Sequence, residues 1–196
     1  IVIISVSGDT QETLSIIKQA YNSDAKIIAF SSGGKIEEFC KEKNIAFKKI
    51  SMEHSPRASF PRFFFSILNV LKNIIPITLE EIQESITILE KTRSLIHSEN
   101  LNSDNISLTI AKWINSTPVI YYPRGLNSVA IRFKNSLQEN AKIHVISEEL
   151  LESCHNGIVA WNENEIFQPI LIRGKDDHIK TKERWTVLKE FFNTKN

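Results

Sequence analysis

A run of small polar residues early in the chain has the composition of an anion-binding loop. It lies between an apolar strand and the start of a helix and has the sequence Ser5-Val6-Ser7-Gly8-Asp9-Thr10. Backbone N–H groups and the positive end of a helix dipole bind phosphate at such junctions. Three hydroxyls and the small Gly8 suit a phosphomonoester. The alternative is a structural role, in which Asp9 caps the helix and Glu12 completes a capping box.

A second polar turn follows the next strand and has the sequence Ser31-Ser32-Gly33-Gly34-Lys35. This turn either lines the same binding crevice as the Ser5–Thr10 loop, at the same edge of the sheet, or only connects the strand to a helix. The first loop lacks the Lys of a nucleoside-triphosphate loop, and the pattern GxGxxG is absent from the chain. We therefore expect neither a nucleoside triphosphate nor a dinucleotide at these turns.

Arg57 opens a strongly apolar helical segment in the sequence Pro56-Arg57-Ala58. A cation at a buried junction must be paired or must face a polar cavity, because an isolated buried charge is very costly. Two interpretations stay open. Arg57 either directs a planar cation at a developing oxyanion or forms an ion pair with Glu53 or a C-terminal carboxylate.

Two further candidates for chemistry lie in the second half of the chain. Glu139 lies at the end of a predicted helix, where the helix dipole disfavours a negative charge. Glu139 is therefore either kept there by a function or is simply solvated at the surface. His155 follows Cys154 and is either a catalyst or an ordinary surface or core side chain. The spacing of the five histidines and two cysteines does not match a zinc site, so we expect no metal.

The elements that must position these residues alternate between strands and helices. The apolar run over residues 1–4 predicts a strand that is buried on both faces of a parallel sheet. In the first half, the hydrophobic spacing predicts strands over 1–4, 26–30 and 46–50 and helices over 11–21, 35–43 and 61–71. The helix over 61–71 is apolar on most sides and is expected to be buried.

A second alternating pattern follows a long helix, for which Thr78 and Glu81 predict a capped start and Ile96 an approximate end. The pattern predicts helices over 107–113, 126–138 and 177–192 and strands over 118–122, 143–146 and 168–172. Strands that alternate with helices indicate an α/β protein with parallel sheets. We place a domain boundary near Pro76, with residues 1–76 in one domain and 77–196 in the other.

Composition and charge argue against several classes of protein. Of the 196 residues, 24 are Lys or Arg and 23 are Asp or Glu, so the net charge is +1 and a nucleic-acid partner is not expected. No apolar run approaches the roughly 18 residues of a membrane span, so no membrane partner is expected. Two cysteines do not form a disulfide framework, and we expect a reducing, cytoplasmic location. Because the chain opens in an apolar strand, we also expect a segment before it.

The order of the motifs resembles one known family. The motifs are SxSGxT at 5–10, SSGGK at 31–35, PRA at 56–58, Glu-Asn-Ala-Lys at 139–142 and His-Asn at 155–156. Together they are similar to the archaeal-type bifunctional phosphoglucose/phosphomannose isomerases of the sugar-isomerase (SIS) fold group, over about residues 1–161. The resemblance implies two doubly wound parallel-sheet SIS-type units, each a flavodoxin-like three-layer α/β sandwich, in a chain truncated at both ends.

The resemblance also implies a substrate and the residues that hold it. The reaction would interconvert glucose 6-phosphate, and mannose 6-phosphate, with fructose 6-phosphate, without a metal and without a cofactor. The substrate phosphate would be held by Ser5, Ser7, Gly8 and Thr10.

Three catalytic roles are implied in the same way. Arg57 would stabilise the enediolate, and Glu139 would be the base that moves a proton between C1 and C2. His155 would assist ring opening, reaching in from the neighbouring subunit of a homodimer. An aldose–ketose shift requires such a base, a ring-opening acid and a cation near the enediolate oxygens.

At two positions the chain differs from the pattern of that family. Gly157 stands where a carboxylate usually follows the His-Asn pair, and Cys154 stands where Asn is usual. A second function class therefore stays open. It is a non-catalytic sugar-phosphate-binding SIS module with a regulatory role, and it needs the Ser5–Thr10 loop but not Glu139. A third is the isomerase-fold half of a transaminase, which requires an ammonia-supplying domain elsewhere in the gene product.

Overall fold

Two parallel three-stranded sheets contain all the strands of the described residues, which in this computed structural model are 1–161 and 166–194. Tertiary contacts divide the chain into two units, Ile1–Thr87 and Ile88–Asn196, which we call unit 1 and unit 2. Each unit contains one of the two sheets.

The sheet of unit 1 has the strand order β1-β2-β3, and all neighbouring strands are parallel. The strands are β1 (Val2–Ile4), β2 (Ile28–Ser31) and β3 (Ala46–Lys49). In the register, Ala29 lies between Ile3 and Phe47. Because the strands are parallel, the loops that follow β1 and β2 leave the sheet at the same edge.

Helices cover both faces of this sheet. α1 (Gln11–Tyr21) and α2 (Gly34–Glu42) pack on the face of Ala29, and α3 (Phe60–Leu71) packs on the opposite face with Phe30. Successive residues of a strand point to opposite faces, which explains why Ala29 and Phe30 belong to different clusters. The first cluster contains the buried residues Ile3, Leu14, Ile17, Ala29, Ile36 and Cys40.

The predicted start of the long helix α4 (Leu79–Ile96) is confirmed. Glu81 Oε2 accepts the backbone N–H of Thr78 at 2.8 Å, and Thr78 Oγ1 accepts the backbone N–H of Glu81 at 3.1 Å. These two bonds form a capping box. No residue of α4 is buried in the structure.

Two predictions about burial are wrong. β1 was expected to be covered on both faces, yet Val2 and Ile4 are 45% and 48% exposed, because β1 is an edge strand and only Ile3 points into the cluster. α3 was expected to be buried on most sides, yet Phe60 and Phe64 are 45% and 43% exposed. Only one side of α3 reaches the sheet.

The sheet of unit 2 has the strand order β5-β4-β6, with parallel neighbours. The strands are β4 (Thr117–Tyr122), β5 (Ile146–Glu149) and β6 (Phe167–Leu171). The chain therefore passes from the central strand to one side of the sheet and then to the other.

Helices also cover both faces of the second sheet. α6 (Asn127–Ser136) packs on the face of Ile120, and α7 (Leu150–His155) and α8 (Ile179–Asn193) pack on the face of Tyr121. α5 (Ile106–Trp113) precedes β4. The strand predicted over 143–146 begins instead at Ile146, and α7 was not predicted.

The predicted class, α/β with parallel sheets, is confirmed in both units. Among the residues that the structure describes, no helix combines the length and the apolar character needed to cross a membrane.

Candidate functional site

The loop from Ser5 to Thr10 follows β1 and is organised around the buried hydroxyl of Ser5. Ser5 Oγ accepts the backbone N–H of Gly8 at 3.1 Å and lies 2.9 Å from Thr10 Oγ1. When Ser5 donates its proton to Thr10, the hydroxyl proton of Thr10 stays available for a ligand. Ser5 therefore shapes the loop, while the exposed Thr10 can contact an anion.

Further donors lie at the same place. Ser7 is exposed, and its Oγ accepts the backbone N–H of Asp9 at 3.3 Å, which leaves its own proton free to donate. Thr10 is the N-cap residue of α1, and its side chain does not cap the helix. The first-turn N–H groups of α1 can therefore donate to an anion that lies at the positive end of the helix dipole.

The alternative in which Asp9 and Glu12 cap α1 is wrong. Asp9 Oδ1 instead accepts the backbone N–H of Lys35 at 3.1 Å, in the first turn of α2. The carboxylate of Asp9 thus stabilises the second helix and leaves the start of α1 open.

The two polar loops of unit 1 are joined by hydrogen bonds. Val6 O accepts both the backbone N–H of Ser32 at 2.9 Å and its hydroxyl at 2.6 Å. Gly8 O accepts the backbone N–H of Ile36 at 3.0 Å. The turn after β2 is therefore more than a connection to α2, because it holds the loop after β1 in place.

Gly8 is required by the close approach of these loops. Its φ is +81°, and a Cβ at this position would lie 1.8 Å from the carbonyl oxygen of Gly33. No other residue fits without movement of the backbone.

Arg57 begins a short 3₁₀ helix, Arg57–Ser59, that leads into α3. The prediction that it lies at a buried junction is wrong, since Arg57 is exposed. Glu53, one of its suggested partners, pairs with Arg62 at 2.5 Å.

Ser59 holds the Arg57 segment together and was not predicted as a site residue. Its side chain is completely buried, its Oγ donates to Ser55 O at 2.8 Å, and the same Oγ accepts the backbone N–H of Glu53 at 2.9 Å. A Ser directly after Pro-Arg-Ala was the available sequence signal.

Glu139 lies in unit 2, on a five-residue π-helical turn, Leu137–Ala141, that follows α6. Its side chain is exposed. The turn ends at Lys142, whose φ of +59° is left-handed. Single π-helical turns occur frequently at functional sites, which is a second signal, beside the unfavourable dipole, that Glu139 is held there for a reason other than helix stability.

His155 is the last residue of α7 and is exposed. The start of this short helix is capped by Glu149, whose Oε2 accepts the backbone N–H groups of Leu151 at 2.9 Å and Glu152 at 3.2 Å. Its Oε1 is buried and has no hydrogen-bond partner among the described residues. Glu149 therefore fixes the start of the helix that carries His155.

A carboxylate lies beside Gly157, although the residue itself carries none. A Cβ added at Gly157 would be 2.6 Å from Oε2 of Glu148, which projects from β5. The structure thus places an acidic group beside Gly157, two positions after His155. This group comes from β5, which the His-Asn motif does not indicate.

Cys154 has the properties of a core residue. It is half-buried and packs against the cluster of Tyr121 and Trp185. Burial raises the pKa of its thiol, Glu149 raises the pKa further, and Arg184 opposes the shift. The thiol is therefore mostly protonated at neutral pH. Over residues 1–161 and 166–194, no group of three or more His, Cys, Asp or Glu side chains could hold a metal ion.

The structure brings Ser5, Ser7, Gly8 and Thr10 together in one loop of unit 1. Arg57 lies in the same unit, in a different segment. Unit 2 contains Glu139 and His155 on different elements. Sequence reasoning missed three residues, Ser59, Glu148 and Glu149. Ser59 holds the segment of Arg57 by hydrogen bonds, and Glu149 caps the helix that carries His155. Glu148 lies close to Gly157.

Comparison with known proteins finds a family model that is similar to the second half of the chain. Residues 103–196 match the model of the bacterial phospho-glucose isomerase C-terminal SIS domain. A glucosamine-fructose-6-phosphate aminotransferase C-terminal domain from Francisella tularensis superposes with a TM-score of 0.62 at 19% identity, over 94% of this chain and 54% of that one. This likeness shows a shared fold.

Two curated relatives match most of the chain. A bifunctional phosphoglucose/phosphomannose isomerase from Caldicellulosiruptor bescii is 30% identical over 195 residues, which are 95% of this chain and 57% of the relative. A D-glucosamine-6-phosphate 4-epimerase from Sulfolobus acidocaldarius is 29% identical over 181 residues, which are 88% of this chain and 55% of the relative. The chain thus spans about half the length of these relatives.

Proposed function

Since the chain is a relative of the bifunctional phosphoglucose/phosphomannose isomerases, we propose that it acts as a metal-independent aldose–ketose isomerase. Its substrates are glucose 6-phosphate and fructose 6-phosphate, with mannose 6-phosphate as a second aldose. The observation that carries the proposal is the loop after β1, in which Ser7 and Thr10 are exposed and the start of α1 has no side-chain cap. This arrangement suits a phosphate ester.

The proposed reaction moves one carbon-bound proton and one hydroxyl proton along the sugar. The Glu139 carboxylate takes a proton from C1 of the open-chain ketose as the C1–C2 double bond of an enediolate forms, and then delivers that proton to C2. The hydroxyl on O1 loses its proton and O2 gains one, which leaves the carbonyl at C1 and gives the aldose. Arg57 stabilises the negative oxygen of the enediolate. His155 gives a proton to the ring oxygen as the cyclic sugar opens.

The assignment of these three residues is supported by motif order and by local structure. The exposure of Arg57, Glu139 and His155 leaves each able to contact a substrate. The hydrogen bonds of Ser59 and the cap from Glu149 hold the segments of Arg57 and His155. The carboxylate of Glu148 lies beside Gly157, which carries no acidic group of its own.

We also propose that the active protein is a homodimer in which His155 reaches the neighbouring site. The exposed aromatic side of α3 supports this proposal, because Phe60 and Phe64 stack with their ring centroids 5.7 Å apart and remain half-exposed. Exposed apolar surface of this kind is typical of a face that a partner covers.

The test is a comparison of the complete gene product with its Glu139→Gln variant, assayed with EDTA present for conversion of fructose 6-phosphate to glucose 6-phosphate. We expect turnover in the parent and a loss of about 10²–10⁴-fold in the variant, with substrate binding retained. The matched control is Gln138→Asn, which alters the exposed neighbour and leaves the carboxylate. If a folded parent binds the sugar phosphate and shows no turnover, the regulatory binding module replaces the isomerase.

A second candidate reaction is epimerisation at C4 of D-glucosamine 6-phosphate. It is favoured by the similarity to the Sulfolobus acidocaldarius relative, which nearly equals that to the isomerase. The same preparation incubated with D-glucosamine 6-phosphate should form the 4-epimer, D-galactosamine 6-phosphate, if this candidate is correct. The product that accumulates from each substrate decides between the two reactions.

A further inference from the structure

The sheet of unit 2 has a topological switch point that none of the site residues above occupies. β5 lies on one side of β4 and β6 on the other. In open α/β sheets, ligands bind in the crevice outside the carboxyl ends of strands at such a reversal. Here the crevice lies between the loop after β4, at 123–126, and the loop after β6, at 172–178. The loops approach closely, because a Cβ at Gly174 would be 3.5 Å from Leu126 Cδ1.

On the side of the loop after β6, an open cavity of about 500 Å³ is lined by residues of that loop and of α8. Three cations, Arg173, Lys175 and Lys182, line it together with Asp177, Trp185 and Thr186. None of the three cations has an ion-pair partner within the described ranges, 1–161 and 166–194. This volume lies in the range of small-molecule sites.

Among the residues that the structure describes, Asp177 is the one acidic group that lines the cavity, and its carboxylate shapes the loop. Asp177 Oδ2 accepts the backbone N–H of Gly174 and the indole N–H of Trp185, each at 3.0 Å. Trp185 is only 2% exposed, so the second bond anchors the loop to the core. The carboxylate therefore has two donors of its own and does not pair with the cations at the rim.

The start of α8 adds a second reason to expect an anion. Its first turn contains Lys180 and Lys182 and no acidic residue. Cations at the N-terminus of a helix are disfavoured by the helix dipole. Lys180 is compensated by Glu183 at 2.8 Å, whereas Lys182 faces the cavity without such a partner among the described residues. A bound anion would offset this unfavourable charge.

We propose that this cavity binds the phosphate group of a small molecule, held by Arg173, Lys175 and Lys182. A guanidinium and two ammonium groups on an open cavity match the charge and the acceptor geometry of a phosphate. The site is formed within unit 2 and uses neither the Ser5–Thr10 loop nor Glu139 or His155.

The test is a titration of the ¹⁵N-labelled complete gene product with inorganic phosphate, followed through the Gly174 amide and the Trp185 indole resonances. Both N–H groups donate to Asp177, which lines the cavity, so their shifts report on this site. We expect saturable shifts. The double variant Arg173→Gln/Lys175→Gln should bind at least about tenfold more weakly, because charged hydrogen bonds are lost. The matched control is Lys134→Gln/Lys189→Gln, which removes two positive charges outside the cavity.

Three outcomes would overturn the proposal: shifts that do not saturate, equal shifts with chloride at the same ionic strength, or unchanged binding in the double variant. The Gly8 amide, recorded in the same spectra, reports separately on the proposed phosphate loop of unit 1. Failure at Gly174 and failure at Gly8 are therefore distinguishable. A tighter response to glucose 6-phosphate than to inorganic phosphate at Gly174 would support a phosphate ester as the ligand.

Discussion

At the scale of single residues, the role of Arg57 can be tested against Arg62 as a control. Both are exposed arginines, Arg57 in the short 3₁₀ helix before α3 and Arg62 in the first turn of α3, where Arg62 contacts Glu53 and Ser51. If Arg57 stabilises the enediolate, Arg57→Ala should lower kcat by about 10²–10³-fold with a much smaller rise in KM, because the enediolate exists only during the reaction. Steady-state kinetics of Arg57→Ala and Arg62→Ala check this.

The control should separate catalysis from stability. Arg62→Ala removes an exposed ion pair and is expected to leave kcat within a few-fold of the parent. Equal losses of kcat in the two variants, or equal losses of binding and turnover in Arg57→Ala, would assign Arg57 to a structural or phosphate-binding role instead.

Gly8 and Gly125 are a second matched pair, because both have positive φ in different surroundings. Gly125 has a φ of +99°, and a Cβ added there would meet nothing within 4 Å, whereas a Cβ at Gly8 would meet the Gly33 carbonyl oxygen at 1.8 Å. We expect Gly125→Ala to cost about 1–2 kcal/mol of stability from backbone conformation alone. Gly8→Ala should cost more than about 3 kcal/mol, since a backbone clash is added. Chemical denaturation measures both, and similar costs would contradict the close approach of the two loops.

At the scale of elements, Glu37 joins α2 to β3. Its carboxylate lies 2.8 Å from Lys41 Nζ and 2.9 Å from Lys49 Nζ. Hydrogen bonds from Lys41 and then Lys49 hold the pKa of Glu37 below its ordinary value. Because the folded pKa is the lower one, the stabilisation is complete above the unfolded pKa and is lost as the pH falls through the folded pKa.

Thermal melts of Glu37→Gln should therefore show a lower Tm than the parent at neutral pH and a smaller difference in acid. Glu38→Gln is the matched control, because Glu38 is an exposed neighbour on α2 without an ion-pair partner among the described residues. A Tm difference for Glu37→Gln that stays constant with pH would show that the ion pairs do not stabilise the fold.

Elements with a strong local signal were predictable from the sequence. The spacing of Leu14 and Ile17 predicts α1 with the bounds that are observed, and Thr78 with Glu81 predicts the capping box of α4. α7 was not predictable in the same way, because six residues carry too little periodicity and its start depends on one Glu149 cap.

Within the candidate site, local chemistry was also easier to predict than long-range contacts. The Ser5–Thr10 loop was recognisable from its own residues. In contrast, the hydrogen bond from the backbone N–H of Lys35 to Asp9 joins positions 26 residues apart. Likewise, nothing near Gly157 in the sequence indicates that Glu148 approaches it from β5. Exposure of Arg57 and of β1 depends on what lies beside them, which the sequence of the segment itself does not determine.

At the scale of the whole molecule, the proposed residues are divided between two units. Arg57 belongs to unit 1, and Glu139 and His155 belong to unit 2. The domain boundary near Pro76 and the sharing of a site between subunits both remain predictions. Sharing has a distinct consequence, because a dimer whose His155 acts on the neighbouring site can be repaired by mixing two inactive variants.

The experiment mixes Glu139→Gln with His155→Ala after joint unfolding and refolding. If His155 acts across the dimer, each mixed dimer has one site with both defects and one site with none. Random mixing should then restore about a quarter of the parental activity in a symmetric dimer. If His155 acts within its own subunit, every site keeps one defect and no activity returns. The matched control mixes Glu139→Gln with Arg57→Ala, which should stay inactive if both residues serve the same site from one chain.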